Sequence, residues 1–244
     1  MSNARELSQL PNTPLGFKNR IINGSFHVNQ RAVSGTVTLA AHAYGHDRWK
    51  AGASGCTYTF STTANVTTLT ITAGSLLQVI EGVNLDSGTY CLSWTGTAQG
   101  KIGAGSYGAS GITGAVTGGS NLNIEFSTGT LSRVQLEVGT VPTVFDFEDY
   151  TTLLTKCQRY FYVGTMGSYG FPSPNSGGYA ANQRYDFKVT MRAAPTVSTN
   201  YASMFNVTAV NAVTRAPDFF TDQIVSTVTT NTTWNVNFTA SAEL

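Results

Sequence analysis

Three acidic side chains lie close together in the middle of the chain, and carboxylate pairs are the groups that hydrolyse glycosidic bonds. Asp146, Glu148 and Asp149 form this cluster. A glycosidase needs two carboxylates about 5.5 Å apart for retention, or about 6.5–9.5 Å for inversion. The same residues precede a predicted helix, whose N-terminus a carboxylate caps, and no GxSxG elbow supports a serine triad. We therefore expect a structural role for the cluster and a chain that is not an enzyme.

Histidines offer a second possible chemistry. His42 and His46, followed by Asp47, would share one face of a helix and could bind a metal there. Gly45 and the strand-like residues that follow oppose a helix, and the sequence offers no third ligand. We predict no metal site and no cofactor.

Aromatic side chains set among glycine, serine and proline are the candidates for binding sugars. A pyranose stacks its apolar face on an aromatic ring, and its hydroxyls bond polar side chains. The predicted glycan-binding residues are Tyr44, Tyr107, Tyr169, Phe171 and Tyr179, with Asn175 and Arg184 among their polar partners. Each of these rings has an alternative role in pinning its own loop. Trp49, Trp94 and Trp234 lie on apolar strand faces and are expected in the core.

Charge is scarce along the chain. Of the 244 residues only 11% are charged, with 14 basic against 13 acidic and a net charge of +1. No basic stripe is present, so we expect no nucleic-acid partner. No segment approaches the ~20 apolar residues of a membrane span, and the N-terminus lacks a signal-peptide pattern. We expect synthesis in a cytoplasm and no membrane insertion. Cys56, Cys91 and Cys157 are expected to be buried thiols, with a Cys56–Cys91 disulfide as the alternative.

Alternation of apolar and polar residues predicts an all-β fold. The pattern is clearest in VTTLTIT (66–72), TYCLSW (89–94), NLNIEF (121–126), SRVQLEV (132–138) and TWNVNFT (233–239). Strict alternation places one face of a strand on a core and the other in water. Short strands separated by glycine-rich turns are typical of a sandwich or jelly roll. The glycine-rich segment 100–120 is either a wide loop or strands approached closely by another backbone.

A single helix separates two predicted β domains. Leu153, Cys157 and Tyr160 have helical spacing. We predict an N-terminal arm over 1–18, a jelly roll over 19–150, a helical linker over 151–160 and a smaller β-sandwich domain over 161–244. Within that second domain, residues 164–179 are predicted to form a long exposed loop.

Two groups of motifs bracket the first domain and resemble a known family. IINGSFHVNQR (21–31) and HDRWKAG (46–52) stand near its start, and LSRVQLEVGTVPTVFDFEDY (131–150) and LLTKCQRYF (153–161) near its end. In this order they resemble the carbohydrate-binding-module-like jelly roll of phage tail fibres and tail spikes. One departure is Ala32, where that family commonly has glycine, and it bears on turn geometry.

The resemblance implies a receptor-binding protein located on the virion, in a tail fibre, that forms a homotrimer. Its implied partners are a bacterial surface polysaccharide, copies of itself, and other tail or baseplate proteins bound through the N-terminal segment. Two alternatives stay open: a structural fibre or baseplate component without glycan binding, and a polysaccharide depolymerase.

Overall fold

Strand-forming segments rich in Thr, Val and aromatic residues account for most of the structure. The computed structural model describes residues 18–169, 179–226 and 233–244. The chain divides between Glu148 and Asp149 into two compact units. Antiparallel sheets build both of them, so the all-β class is confirmed. The predicted arm lies outside the described residues, apart from Lys18.

The first unit contains eight strands. They are β1 (Val37–Leu39), β2 (Lys50–Thr63), β3 (Val66–Ile80), β4 (Gly88–Thr95), β5 (Gly100–Ile102), β6 (Ile112–Val116), β7 (Leu122–Phe126) and β8 (Gly129–Val138). They pair in the order β1-β2-β3-β8-β4-β6, while β7 pairs with β3 and β5. Strand β3 pairs with β8 before Gly74 and with β7 after it. The two halves of this long strand therefore have different neighbours.

The core of the first unit lies between β4, β7 and β8. The ring centroids of Trp94 and Phe126 are 5.1 Å apart in an edge-to-face arrangement. Leu92, Ile124 and Leu136 have no exposed surface. These are the inward positions that the alternation predicted. In the glycine-rich segment, an added Cβ on Gly100 would lie 2.8 Å from the Phe126 ring, so this strand needs glycine to approach the core.

Strand β8 departs from the alternation because its second face is also covered. The expectation that Gln135 and Glu137 face water is wrong, since both are buried. The Glu137 carboxylate accepts hydrogen bonds from the Thr143 backbone N–H at 2.7 Å and the Thr143 hydroxyl at 2.7 Å. Gln135 Oε1 accepts from the Asp146 N–H at 2.7 Å. Residues 143–146, which we call the return segment, are thereby held over β8, whereas Val138, expected in the core, is exposed.

Segment 19–24 lies along the same strand. Asn19 Nδ2 donates to the Val134 carbonyl at 2.9 Å, and Asn19 Oδ1 accepts from the Leu136 N–H at 3.0 Å. The Gln78 side chain on β3 donates to and accepts from the Ile22 backbone. This irregular segment thus bonds to both β8 and β3 without forming a strand.

The HDRW motif is part of a buried polar network. The Asp47 carboxylate accepts from the Gln30 N–H at 2.6 Å and Nε2 at 2.7 Å. Arg48 donates to the Val79 carbonyl at 2.6 Å. Ala32 has φ +52°, in the left-handed region that favours glycine. The motif residues therefore fix backbone geometry, and Ala32 stands where glycine would be relaxed.

The second unit begins with helix α1 (Tyr150–Gln158). Asp149 caps it, because its Oδ1 accepts from the Thr152 N–H at 3.0 Å. Leu153 and Cys157 face inward. The helix was expected to be a separate linker, but it belongs to the second unit, which begins at Asp149. Within the described ranges, no helix has the length and apolarity needed to cross a membrane.

Two three-stranded sheets follow the helix. The strands are β9 (Phe161–Tyr169), β10 (Tyr179–Asp186), β11 (Thr196–Phe205), β12 (Ala209–Arg215), β13 (Phe219–Ser226) and β14 (Thr233–Ser241). Their orders are β10-β13-β12 and β11-β14-β9. Aromatic rings dominate the core: the centroids of Tyr185 and Phe220 are 4.4 Å apart and stacked, and Phe220 meets Phe238 at 4.8 Å. The Tyr201 hydroxyl on β11 donates to Asp222 Oδ2 on β13 at 2.8 Å, which is a polar contact between the two sheets.

Strands β11 and β12 lie at sheet edges and are exposed along most of their length. Met204, Phe205 and Val213 are 52%, 61% and 54% exposed. A strand edge presents unpaired N–H and C=O groups to which another chain can pair.

Candidate functional site

Two of the predicted glycan-binding tyrosines lie at opposite ends of one row of side chains. Lys50 pairs with Leu77, Leu77 with Glu125, and Glu125 with Lys101, across β2, β3, β7 and β5. Tyr44 forms a bridge with Lys50, and Tyr107 lies next to Lys101 beside the bridge between Gly100 and Gly108. Directly paired residues of antiparallel strands project from the same face. We call these six residues, Tyr44, Lys50, Leu77, Glu125, Lys101 and Tyr107, the outer-face row.

The Tyr107 end of the row combines an exposed ring with fixed polar groups. Lys101 Nζ lies 2.8 Å from Glu125 Oε2 and 4.8 Å from the centre of the Tyr107 ring. The Ser75 hydroxyl donates to Glu125 Oε1 at 2.6 Å. Tyr107 is 38% exposed. A ring face is therefore available to a ligand beside donors and acceptors whose positions are set by the sheet.

The electrostatics keep this ion pair charged. Burial pushes the pKa of Glu125 up, but hydrogen bonds from Lys101, Ser75 and Tyr107 outweigh burial, and the pKa lies below its ordinary value. The hydrogen bond to Glu125 raises the pKa of Lys101. Burial, then the Glu125 charge, raises the pKa of Tyr107. At neutral pH the site presents an ammonium group, a carboxylate and a neutral phenol.

The absence of a side chain at Gly52 leaves space for Ser75 and Glu125. A Cβ built on this buried glycine would lie 2.1 Å from Ser75 Oγ and 3.1 Å from Glu125 Oε1. Contacts below about 3 Å are repulsive for carbon. Only glycine at this position of β2 lets the hydroxyl and the carboxylate settle against the sheet.

The Tyr44 end of the row is more enclosed. The Arg31 guanidinium lies 5.1 Å and Lys50 Nζ 5.8 Å from the centre of the half-buried Tyr44 ring. Arg31 also approaches Asp47 at 3.9 Å. This ring is tied to the HDRW network by cation–π contacts, so Tyr107 is the more accessible of the two.

The predicted residues of the second unit fall elsewhere. Tyr169 ends β9 and Tyr179 begins β10. The predicted loop over 164–179 is therefore wrong for its first six residues and its last, whose backbone hydrogen bonding continues the sheets. Phe171 and Asn175 lie outside the described residues. Arg184 bonds Asp186 Oδ1 at 2.7 Å and lies 3.7 Å over the Phe219 ring.

The other candidate groups have structural contacts. Asp149 caps helix α1, and Asp146 Oδ2 accepts from the Lys18 N–H at 3.0 Å. His46 Nδ1 lies 2.9 Å from the Tyr58 hydroxyl, and burial lowers its pKa to about 4. No group of three His, Cys, Asp or Glu side chains suited to a metal ion occurs among the described residues.

The three cysteines are buried free thiols, as their spacing predicted. Burial raises the pKa of Cys56 to about 11, so its reactive thiolate form is scarce at neutral pH. Cys56 and Cys91 do not form the alternative disulfide.

Sequence reasoning missed the polar half of the outer-face row. Lys50, Lys101 and Glu125 were not singled out, although a charged residue is conspicuous where only 11% of residues are charged. Glu125 occupies an outward position of the predicted strand NLNIEF, and that was the available signal. Comparison with known proteins finds no matching family model, curated protein or solved structure.

Proposed function

We propose that this chain is a non-catalytic glycan-binding protein that attaches a phage virion to the surface polysaccharide of its bacterial host. The observation that carries the proposal is the exposed Tyr107 ring beside the Lys101–Glu125 pair on the outer-face row. Sugar recognition uses a ring for the apolar face of the pyranose and fixed polar groups for its hydroxyls. The row offers both, because the Tyr107 ring lies next to the charged groups of Lys101 and Glu125.

The length of the row favours an extended saccharide. Five inter-strand steps of about 4.8 Å place Tyr44 and Tyr107 about 24 Å apart. One sugar unit cannot reach both rings, so several consecutive units would lie across the strands. Lys50 lies on that path, whereas Leu77 between Lys50 and Glu125 is buried. The proposed fold of this unit, a carbohydrate-binding-module-like jelly roll, would present the row on one outer sheet face.

Weak single sites favour a protein with several copies of the site. Sugars offer little apolar area, so one site would bind in the millimolar range, about −4 kcal/mol. A homotrimer in a tail fibre would raise avidity by displaying three sites together. The exposed edges β11 and β12, with Met204, Phe205 and Val213, supply surface for contacts between copies.

Binding of host cells by ring-deletion variants tests the proposal. Tyr107→Ala should weaken each site by about 1–3 kcal/mol and abolish multivalent cell binding, because the ring supplies the stacking surface. Tyr150→Ala, which removes an exposed ring at the start of helix α1, is the matched control and should bind as the parent does. Tyr44→Ala, Tyr169→Ala and Tyr179→Ala then divide the contribution between the two units.

Three results would contradict the proposal. Equal cell binding by the parent and Tyr107→Ala would place the receptor site elsewhere. A parent chain that binds neither cells nor a glycan array would be a structural fibre or baseplate component. Release of reducing ends from capsule or lipopolysaccharide would make it a depolymerase.

A further inference from the structure

A groove of about 570 Å³ lies on the first unit, outside β4 and β8. Ser93 and Thr95 of β4 form one side, and the return segment with its neighbours forms the other. The full lining is Ser93, Trp94, Thr95, Ser110, Arg133, Pro142, Thr143, Val144, Phe145 and Phe147. A smaller space of about 120 Å³ shares Arg133, Phe145 and Phe147 with it and extends towards His27. None of these residues belongs to the outer-face row.

Arg133 enters this groove from a strained position in β8. The register between β4 and β8 shifts between Ser93, opposite Gln135, and Thr95, opposite Ser132. The extra residue on β8 forms a bulge, and Arg133 there has φ +50°. A side chain in the left-handed region costs roughly 1 kcal/mol or more, which glycine avoids. Bulges and strained residues often re-aim a side chain at a functional site.

The Arg133 guanidinium is available to a ligand. Arg133 is exposed and makes no hydrogen bond or ion pair with the part of the chain that the structure describes. Among the described residues that line the groove, none is acidic. The groove therefore carries a single positive charge that the described lining leaves uncompensated, and an anion complements it.

The remaining lining suits a sugar. The Ser93 and Thr95 hydroxyls, which neighbour Arg133, have no bonded partner within residues 18–169, 179–226 and 233–244. Phe147 is 59% exposed and has the His27 ring at its edge, with centroids 6.1 Å apart. Hydroxyls for hydrogen bonding and an exposed ring for stacking thus flank the cation.

We infer that this groove binds an acidic saccharide, with its carboxylate or phosphate group on the Arg133 guanidinium and its pyranose ring against Phe147. Carboxylate and phosphate share the bidentate geometry that guanidinium matches. The site is separate from the outer-face row, where a neutral saccharide needs no unpaired cation. It does not depend on attachment to a virion.

Titration calorimetry of the full chain with small sugars tests the inference. Glucuronate and glucose 6-phosphate, as the carboxylate and phosphate probes, should each bind more tightly than glucose, by about tenfold, since a charge-assisted pair is added. The stronger of the two identifies the anion. Their binding should weaken at high salt because the pair is exposed to screening.

Substitution at Arg133 separates a ligand-binding role from a structural one. Arg133→Gly should abolish the preference for the acidic sugars and at the same time leave the unfolding free energy unchanged or raised, because glycine relaxes φ +50°. Arg133→Lys keeps the charge without the fork and should bind several-fold more weakly than the parent. Tyr150→Ala, at an exposed ring outside both the groove and the outer-face row, should bind the acidic sugars like the parent. If glucose binds as tightly as both acidic sugars, or Arg133→Gly retains the preference, the inference is wrong.

Discussion

The two units hold their parts together by different means. In the first, buried polar side chains fix irregular segments: the Asp47 carboxylate accepts a hydrogen bond from the Gln30 N–H, and the Glu137 carboxylate accepts one from the Thr143 N–H. In the second, one core of stacked rings around Phe220 and Phe238 joins two small sheets, and strands β11 and β12 stay exposed. Hydrogen bonds specify which atoms meet, whereas rings fill volume with less positional demand. Polar networks therefore accompany loops of defined shape.

The sequence motifs of the first unit and its candidate site consist of different residues. The residues that carry the resemblance to tail fibres, among them Asp47, Gln135 and Glu137, are buried and shape the backbone. Tyr107 and Lys101 lie outside those motifs, on the sheet surface. The motif residues therefore shape the first unit, whereas the candidate site is formed by other residues.

The largest expected effect is in the ring core. Phe238→Ala should destabilise the second unit by about 3–5 kcal/mol, because a large buried ring leaves a cavity. Its centroid lies 4.8 Å from that of Phe220 and 5.8 Å from that of Tyr185. Hydrogen exchange read by mass spectrometry measures each unit separately. Tyr150→Ala, at a 56% exposed ring of the same unit, is the control and should change stability by less than about 0.5 kcal/mol. Equal effects would deny that this core carries the unit.

Acid should weaken the first unit, because its His46 is buried in the neutral form. The unfolded chain takes up a proton at His46 below about pH 6.5, whereas burial delays uptake in the folded unit to about pH 4. The contribution of neutral His46 to the unfolding free energy is therefore fully present above about pH 6.5. About 3 kcal/mol of it is lost as the pH falls to about 4.

Urea unfolding at a series of pH values measures this loss. His46→Gln should remove the part of the slope between pH 6.5 and 4, and His42→Gln, at an exposed position, should keep it. An unchanged slope in His46→Gln would assign the acid sensitivity to other groups.

A smaller and more local effect is expected at Glu137. Glu137→Leu keeps roughly the size of the side chain but removes the acceptor of the Thr143 backbone N–H and the Gln135 amide. An unsatisfied buried donor costs about 1–3 kcal/mol. The N–H groups of the return segment should lose protection from hydrogen exchange first. Glu125→Leu, at a partly exposed ion pair of the same unit, should cost less than about 1 kcal/mol. A larger loss there than in Glu137→Leu would show that the buried hydrogen bonds of Glu137 do not hold the return segment.

The smallest effect has the opposite sign. Ala32→Gly should raise the unfolding free energy of the first unit by up to about 1 kcal/mol, because φ +52° is strained for alanine. Ala53→Gly, in the exposed part of β2, should lower it by roughly 0.5–1 kcal/mol through the entropy of the unfolded chain. Chemical denaturation of both variants decides whether the turn is strained. A loss of stability in both would show that it is not.

How far the sequence predicts the structure depends on the range of the contact. Alternation identified the inward residues Leu92, Ile124 and Phe238 because strand period is local. It wrongly predicted that Gln135 and Glu137 face water, because the return segment, which buries them, lies outside the strand. Tyr169 and Tyr179 were placed in a loop because glycine and serine around them hid the strand ends.

The candidate site was predicted only in part, because it too depends on contacts between distant segments of the chain. Tyr44 and Tyr107 were chosen from their glycine-rich surroundings, but their common row depends on the register of β2, β3, β7 and β5. That register joins segments separated by many residues, which single-sequence patterns do not encode. Likewise, the left-handed φ of Arg133 follows from the bulge opposite β4 and has no signature in SRVQLEV.

The placement of segment 19–24 beside β8 has a consequence for how the chain is made. Asn19 bonds Val134 and Leu136 across 115 and 117 residues of sequence. At about 5–20 residues per second, a ribosome needs roughly 6–23 s to add that length. Until then, segment 19–24 has its contact with Gln78 of β3 but not its contacts with β8, and the contact that closes the unit is of the non-local kind that slows folding. We therefore expect the first unit to complete its fold only after β8 has been synthesised.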